Sequence, residues 1–353
     1  MIAPGATVGI LGGGQLGRML ALAAANMGYR VHILAPDAEQ PAADVAAAAT
    51  RADYGDAAAL AAFARSVDVA TFEFENVDVA AVRALAELVP VHPGPASLEV
   101  AQDRLAEKQF VASLGGQPAP FAAVSSRAEL DEALARIGTP AILKTRRMGY
   151  DGKGQARIMV PEDANAAWAA LGGQPAVLEG FVRFTHEFSV ILCRGADSEV
   201  VSWPVPHNVH EGGILAQSDV PAPPEIAAQA EAAAALARAV AEKLGHVGVL
   251  TCEFFATPAG PIFNEMAPRV HNSGHWTIEG ARASQFENHI RAICGLPLGS
   301  PDLTAPAVRM RNLLGEDVHD WAAILADRRA HLHLYGKSAV KPGRKMGHVT
   351  WLL

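Results

Sequence analysis

Residues 253–265 read Glu253-Phe254-Phe255-Ala256-Thr257-Pro258-Ala259-Gly260-Pro261-Ile262-Phe263-Asn264-Glu265. Pro258-Ala259-Gly260 suits a three-residue hairpin loop, with glycine where a positive φ is required. If Thr257 pairs with Pro261, the flanking strands bring Glu253 opposite Glu265 on one face, their Cβ atoms about 5 Å apart. Two carboxylates so placed repel unless a cation joins them. Asn264 adds a neutral oxygen, and a small set of hard oxygen ligands suits Mg2+ held together with a nucleotide's phosphates. A solvated acidic face is the plain alternative, but Phe254, Phe255, Ile262 and Phe263 make the segment too apolar for one.

On either side of this hairpin the chain concentrates chemistry. Directly after it, Ala267-Pro268-Arg269-Val270-His271-Asn272-Ser273-Gly274-His275-Trp276 puts an arginine and two histidines into one irregular loop. His207, Asn208 and His210 precede Glu211-Gly212-Gly213 in what reads as a similar loop. Upstream, Lys144-Thr145-Arg146-Arg147-Met148-Gly149-Tyr150-Asp151-Gly152-Lys153-Gly154-Gln155 lies between two expected strands. Its glycines and cations suit a flap over polyphosphate, with N–H groups and lysines neutralising charge. A solvated hairpin tip is the other reading. Glu179-Gly180-Phe181-Val182 and Glu187 read by themselves as a plain strand. In the tail, Lys337, Lys341 and Pro342-Gly343-Arg344-Lys345 cluster cations, either as a solvated tail or as an anion seat.

Near the N-terminus, Gly12-Gly13-Gly14-Gln15-Leu16-Gly17 falls between an expected strand, Thr7–Leu11, and a helix. Such a turn points free N–H groups at an anion, and Asp37, about 20 residues on, stands where a ribose-binding acid would. A dinucleotide site, a glycine turn that only packs helix on sheet, and a seat for another phosphorylated ligand all remain open at this point. Strands alternate with helices through the first hundred residues, as in a parallel sheet, with Ala42–Thr50 ambiguous between helix and strand. After Pro90, Pro93 and Pro95 a new helix is expected from Ser97 to about Leu114. Ser126-x-x-Glu129 opens another as a capping box. A long alanine-rich helix is expected over 225–244.

The 353 residues are long enough for two or three domains of about 100–200 residues each. Hydrophobic residues make up 50% and charged residues 19%, which excludes a disordered chain. A net charge of −8 argues against non-specific nucleic-acid binding. No apolar stretch approaches the roughly 18 residues of a membrane span. Met1-Ile2-Ala3-Pro4-Gly5 lacks the cationic start of a signal peptide. Cys193, Cys252 and Cys294 form no C-x-x-C pair, and reduced thiols in a cytoplasmic protein are expected.

Together these segments resemble the ATP-grasp enzymes, and within them the N5-carboxyaminoimidazole ribonucleotide synthetase family. The resemblance rests on Gly12–Met19 (GGGQLGRM), Thr71–Val77 (TFEFENV), Gln102–Lys108 (QDRLAEK), the 144–155 loop, the glutamate hairpin, Ala267–Trp276 and the PGRK tail. It implies an α/β and α+β architecture: a Rossmann-like pre-ATP-grasp domain (1–96), an ATP-grasp domain with the glycine-rich flap (97–300) and a small C-terminal domain (301–353). ATP would lie among Arg104, Lys144, the loop Gly149, Tyr150, Asp151, Gly152, Lys153, Gly154 and Gln155, the segment Glu179, Gly180, Phe181 and Val182, then Glu187, His210, Asn264 and Glu265. Glu253 and Glu265 would hold magnesium. The ribonucleotide would meet Gln15, Leu16, Glu73, Tyr150, Asp151, Arg269, His271, Asn272, Lys337 and Arg344. Met148 stands where the family pattern favours glycine.

The reaction so implied consumes ATP, bicarbonate and aminoimidazole ribonucleotide through carboxyphosphate. Lys144 and Lys153 would neutralise phosphate, Arg269 would hold bicarbonate, and Asp151 or His271 would take the amine proton. A homodimer is expected. Formate-dependent glycinamide ribonucleotide transformylase is the nearest alternative. An NAD-dependent oxidoreductase, resting on the glycine turn and Asp37, is the second.

Overall fold

A computed structural model gives the structure of the protein and describes residues 1–149 and 154–353. The N-terminal segment forms a four-stranded sheet in the order Ala48–Arg51, Arg30–Ala35, Thr7–Leu11, Val69–Phe72, and all pairings are parallel. The ambiguous stretch resolves into a 3-10 turn at Ala43–Val45 and the edge strand Ala48–Arg51. Pairing with Arg30–Ala35 overrides the helical preference of alanine, as sheet context commonly does.

The single helix expected from Ser97 is two helices, Pro95–Gln102 and Arg104–Ser113. Asp103 lies between them with extended backbone, and its carboxylate accepts from the N–H groups of Leu105 and Ala106. Aspartate is a strong N-cap, so it starts a second helix where side-chain periodicity alone suggested continuity.

A second four-stranded sheet runs Phe121–Val124, Ala176–Gly180, Ala141–Thr145, Gln155–Ile158, antiparallel throughout. Helix Arg127–Ile137 packs on it through Leu130 and Leu134; Ser126 caps that helix by accepting from Glu129 N–H. The third sheet has nine strands and dominates the molecule. Its order is Gly260–Ala267, Gly248–Thr257, His186–Arg194, His207–Glu211, Ile214–Val220, Val308–Leu314, Lys345–Leu352, Ala330–Leu334, with Val200–Ser202 also on His186–Arg194. Helix Pro224–Lys243 buries Ile226, Ala233, Ala237 and Val240 in the same core cluster as Leu192, Leu250 and Phe254.

The expected loop at His207–Glu211 is instead a strand, joined to Ile214–Val220 by Gly212-Gly213. Both glycines have positive φ, 59° and 82°, which a tight two-residue hairpin turn demands. The strands of the C-terminal segment add directly to this sheet, since Ile214–Val220 pairs with Val308–Leu314. All three cysteines are free and buried. No helix among the described residues is long and apolar enough to cross a membrane.

Candidate active site

The glycine turn leads into helix Gln15–Asn26, but its N–H groups are not free. Glu73, just past the end of strand Val69–Phe72, accepts from Gly14 N and from Gly17 N, the latter at 2.6 Å. A Cβ on Gly12 would lie 2.3 Å from Glu73 Cγ, and one on Gly14 would lie 2.6 Å from its Oε1. The glycines therefore make room for a carboxylate of the same chain, and that carboxylate stands where a dinucleotide's pyrophosphate would have to sit. This removes the oxidoreductase reading. Burial raises the Glu73 pKa against the pull of those N–H groups and of Arg269 and Lys337.

Beside this turn a cleft of about 250 Å3 opens, lined by Gln15, Asp37, Glu39, Glu73, Lys337 and Arg344 among others. Leu16 instead faces the core, 8% exposed. Arg344 donates to Glu39 and to Ala339 O (2.6 Å), while Glu39 also accepts from Ser338 N (2.6 Å) and Ser338 Oγ (2.9 Å). Sequence reading missed Glu39, which belongs to no motif. Lys337 donates to Lys345 O at 2.7 Å. Its pKa is pushed down to about 8 by burial and by Arg344.

On the other side, Lys144 projects from strand Ala141–Thr145 to Glu179 Oε2 at 2.9 Å. Lys108, 1% exposed, approaches Glu179 Oε1 at 3.2 Å. Burial disfavours the Glu179 carboxylate, yet Lys108 and Lys144 together keep its pKa below the ordinary value. Lys108 was missed as a site residue, although it closes one of the quoted motifs. Arg104 donates to Thr145 O and Gly149 O, both at 3.0 Å, and so holds the root of the glycine-rich loop. Gly154 O accepts from Thr145 N, and Gln155 pairs with Lys144. Tyr150, Asp151, Gly152 and Lys153 lie outside the described residues. Phe181 N–H is committed to Pro140 O at 3.1 Å, and Gly180 N–H to Pro120 O at 2.8 Å. Phe181 is 42% exposed and Val182 is half-buried. Glu187 meets His210 Nδ1 at 3.1 Å. Burial works against the charged form of His210, but Glu187 raises its pKa.

The glutamate hairpin joins these two regions. Glu253 does stand opposite Glu265, but the turn is tighter than expected: Thr257 pairs with Gly260, leaving Pro258-Ala259 as its corner. Thr257 Oγ1 fastens it, donating to Gly260 O at 2.8 Å and accepting from Ala259 N at 3.2 Å. The register then shifts between Phe254 and Glu253, so Asn264 is an extra, bulged residue. Its carbonyl accepts from Lys108 Nζ at 3.1 Å.

Burial and the Glu253 charge raise the Glu265 pKa. Glu107, which accepts from Met266 N–H at 2.6 Å, is pushed up to about 8 by burial, with Glu265 adding to the rise and Lys108 opposing it. Glu253 behaves oppositely: burial penalises it, but His271, His210 and Lys345 hold it low, at about 2. His271 Nε2 lies 3.0 Å from Glu253 Oε1.

A buried polar chain continues behind His271. Ser218 Oγ donates to Asn208 Oδ1 (2.8 Å), Asn208 Nδ2 donates to Ser189 Oγ (3.0 Å), Ser189 Oγ bonds Ser273 Oγ (2.7 Å), and Ser273 Oγ reaches His271 Nδ1 (2.8 Å). Ser273 N–H also donates to that Nδ1, at 3.3 Å. The nitrogen is thus an acceptor, and Nε2 carries the proton toward Glu253. Asn272 exchanges amide hydrogen bonds with Asn312, at 2.9 and 2.7 Å. Arg269 donates to Glu75, a further residue that sequence reading did not single out.

The donor set fits a hard divalent cation shared with phosphate. Two carboxylates face each other, one of them destabilised by the other. Among the described residues no group of three or more His, Cys, Asp or Glu side chains could hold a metal alone.

Three family models match the chain: the ribonucleotide synthetase preATP-grasp domain over residues 5–102, the ATP-grasp domain over 109–286, and the phosphoribosylaminoimidazole carboxylase C-terminal domain over 309–353. An N5-carboxyaminoimidazole ribonucleotide synthase of Brucella melitensis is 50% identical over 350 residues, covering 98% of this chain and 96% of that protein. The crystal structure of N5-carboxyaminoimidazole ribonucleotide synthetase from Thermus thermophilus is 48% identical, with TM-score 0.91 over 98% of this chain and 93% of that one. The Aspergillus clavatus N5-carboxyaminoimidazole synthase, solved with ADP and 5-aminoimidazole ribonucleotide, is 31% identical, with TM-score 0.91 over 99% and 94%.

Proposed function

The chain belongs to the N5-carboxyaminoimidazole ribonucleotide synthase family of ATP-grasp ligases, and we infer that it carries out the ATP-dependent carboxylation of 5-aminoimidazole ribonucleotide in purine biosynthesis. The carrying observation is the continuity of the site. Lys144 and Arg104 act electrostatically on Glu265, Glu253 on Arg269, and Arg269 and Lys337 on Glu73. The region around Lys144 and Arg104 and the cleft where Lys337 and Arg344 stand among Asp37, Glu39 and Glu73 are thus linked through one pair of carboxylates.

Bicarbonate is the carbon source in this reading. Its carbon is a poor electrophile, so the γ-phosphoryl group of ATP transfers to a bicarbonate oxygen, ADP leaves, and carboxyphosphate results. The exocyclic amine then bonds to the carbon, inorganic phosphate departs, and the amine gives up a proton. Such a transfer needs neutralised charge more than covalent help. Lys144, pre-set by Glu179, supplies it at the phosphates, together with Lys153 from the family pattern. Glu253 and Glu265 would hold magnesium, which neutralises polyphosphate charge when bound. Arg269, anchored by Glu75, presents its guanidinium to bicarbonate. His271 enters as a hydrogen-bond donor, its Nδ1 already accepting from Ser273, so we assign the amine proton to Asp151. Lys337 and Arg344 take the 5′-phosphate. We take the enzyme to act in the cytoplasm as a homodimer.

The test is ADP release with each acceptor. Turnover requiring aminoimidazole ribonucleotide and bicarbonate is expected. Faster turnover with formate and glycinamide ribonucleotide would replace this reading with the transformylase one.

A further inference from the structure

Gln102 and Asp103 lie at the break between helices Pro95–Gln102 and Arg104–Ser113, and their side chains reach different parts of the site. Gln102 Nε2 donates to Glu75 O at 2.7 Å and to Val77 O at 2.5 Å. This is the loop that follows Glu73, and its Glu75 carboxylate holds Arg269. Asp103 serves the nucleotide side. Its two oxygens accept Arg146 Nε at 3.0 Å and Nη2 at 2.6 Å, a fork-to-carboxylate pair. The Asp103 side chain is 9% exposed and that of Arg146 34%. Arg147 bridges both residues, with Nη1 at 3.4 Å from Gln102 Oε1 and Nε at 3.8 Å from Asp103 Oδ2. Arg146 and Arg147 follow Lys144 and open the glycine-rich loop. Arg146 O accepts from Arg104 N at 2.9 Å, closing the knot.

We propose that Asp103 and Gln102 are positioning residues that couple the two substrates, tying the root of the nucleotide loop to the loop of the acceptor pocket. Both act through other parts of the chain, Asp103 through the Arg146 guanidinium and Gln102 through the carbonyls of Glu75 and Val77. Two adjacent residues hold both loops, so a shift of either is passed to the other through a planar ion pair and a fixed amide. A bidentate arginine–carboxylate pair transmits orientation as well as attraction. Coupling of this kind is reciprocal: ATP tightens the ribonucleotide by the factor with which the ribonucleotide tightens ATP. The cost of losing it is ATP cleaved without carboxylation. The inference rests on the function proposed above.

The test uses Asp103→Asn and Arg146→Met in the full chain. Asparagine caps a helix about as well as aspartate, so Asp103→Asn keeps the helix start and weakens only the ion pair. Arg146→Met leaves the cap untouched. ADP and carboxylated ribonucleotide are measured in one assay, and ribonucleotide affinity is measured with and without a non-hydrolysable ATP analogue. Both variants are expected to lower product formed per ADP and to reduce the mutual tightening about 5-fold. The double variant should be no worse than either single one. Unchanged product per ADP and unchanged tightening in both variants would overturn the coupling. Absence of carboxylated product from the unaltered enzyme would instead remove the function on which the inference rests, and the inference with it.

Discussion

Glu73 Oε2 accepts the Gly17 N–H at 2.6 Å, and its other oxygen accepts the N–H of Gly14. The turn that would bind a dinucleotide is thereby closed from within. Glu73→Gln replaces one acceptor with a donor facing a buried N–H, which costs about 1–3 kcal/mol. Gly12→Ala should be worse, because φ is +110° and the new Cβ would lie 2.3 Å from Glu73 Cγ. Urea denaturation checks both. Neither variant, nor the unaltered protein, should bind NADH.

Glu265→Gln should separate stability from turnover. It removes one of two facing half-buried carboxylates, so the fold should gain up to about 1 kcal/mol. Turnover should fall on the order of 100-fold or more, since the proposed role of Glu265 is to hold magnesium at the phosphates. Thermal melts and ADP release with a magnesium titration give the two readouts. A loss of stability together with normal turnover would show that the pair is structural.

Lys337 carries a pH limb. Its pKa is held at about 8 by burial and Arg344, below the usual lysine value. The free enzyme therefore loses this charge as pH rises through that value, and kcat/KM for the ribonucleotide should fall there. A profile of kcat/KM reports free-enzyme groups. Lys337→Arg should move the limb out of range, because arginine stays charged, while the profile for ATP keeps its shape.

Arg344→Ala should raise KM for the ribonucleotide by about 10- to 100-fold, the loss of one charge-assisted hydrogen bond. KM for ATP should hardly change. Arg344→Lys should restore part of the loss, since it keeps the charge without the fork. Steady-state kinetics with each substrate varied in turn decides it. A change confined to ATP would move the tail to the nucleotide site.

The facing glutamates were legible because hairpin pairing alternates regularly, yet the expected turn was one residue too long. The bulge at Asn264 restores the pairing that the tighter turn would have displaced. No sequence signal marked that bulge; its carbonyl partner, Lys108, comes from a distant helix. The strand His207–Glu211 was hidden because its residues are mostly polar and asparagine has little β preference, while the Asn208 amide is satisfied by Ser189 and Ser218 from neighbouring strands. Gly212-Gly213 was the available signal, as a two-residue hairpin turn. The helix break at Asp103 was illegible for a related reason. Its carboxylate is oriented by Arg146, just past the strand Ala141–Thr145 and far along the chain, while a capping aspartate inside a helical pattern looks like an ordinary polar position. Parallel strands and the loop after the hairpin depend on local pattern and could be read directly.

One continuous hydrogen-bonded sheet carries both the carboxylate pair and the strands that bracket Lys337 and Arg344. A packed sheet of this kind resists stretching, and its interior does not deform smoothly. With Lys337 and Arg344 seating the phosphate as proposed, the two ends of the site would act as the fixed jaws of a caliper, and an acceptor would be chosen by the span from its phosphate to its amine. A nucleoside without the phosphate would then reach one jaw only, and a longer phosphate ester would overshoot the other.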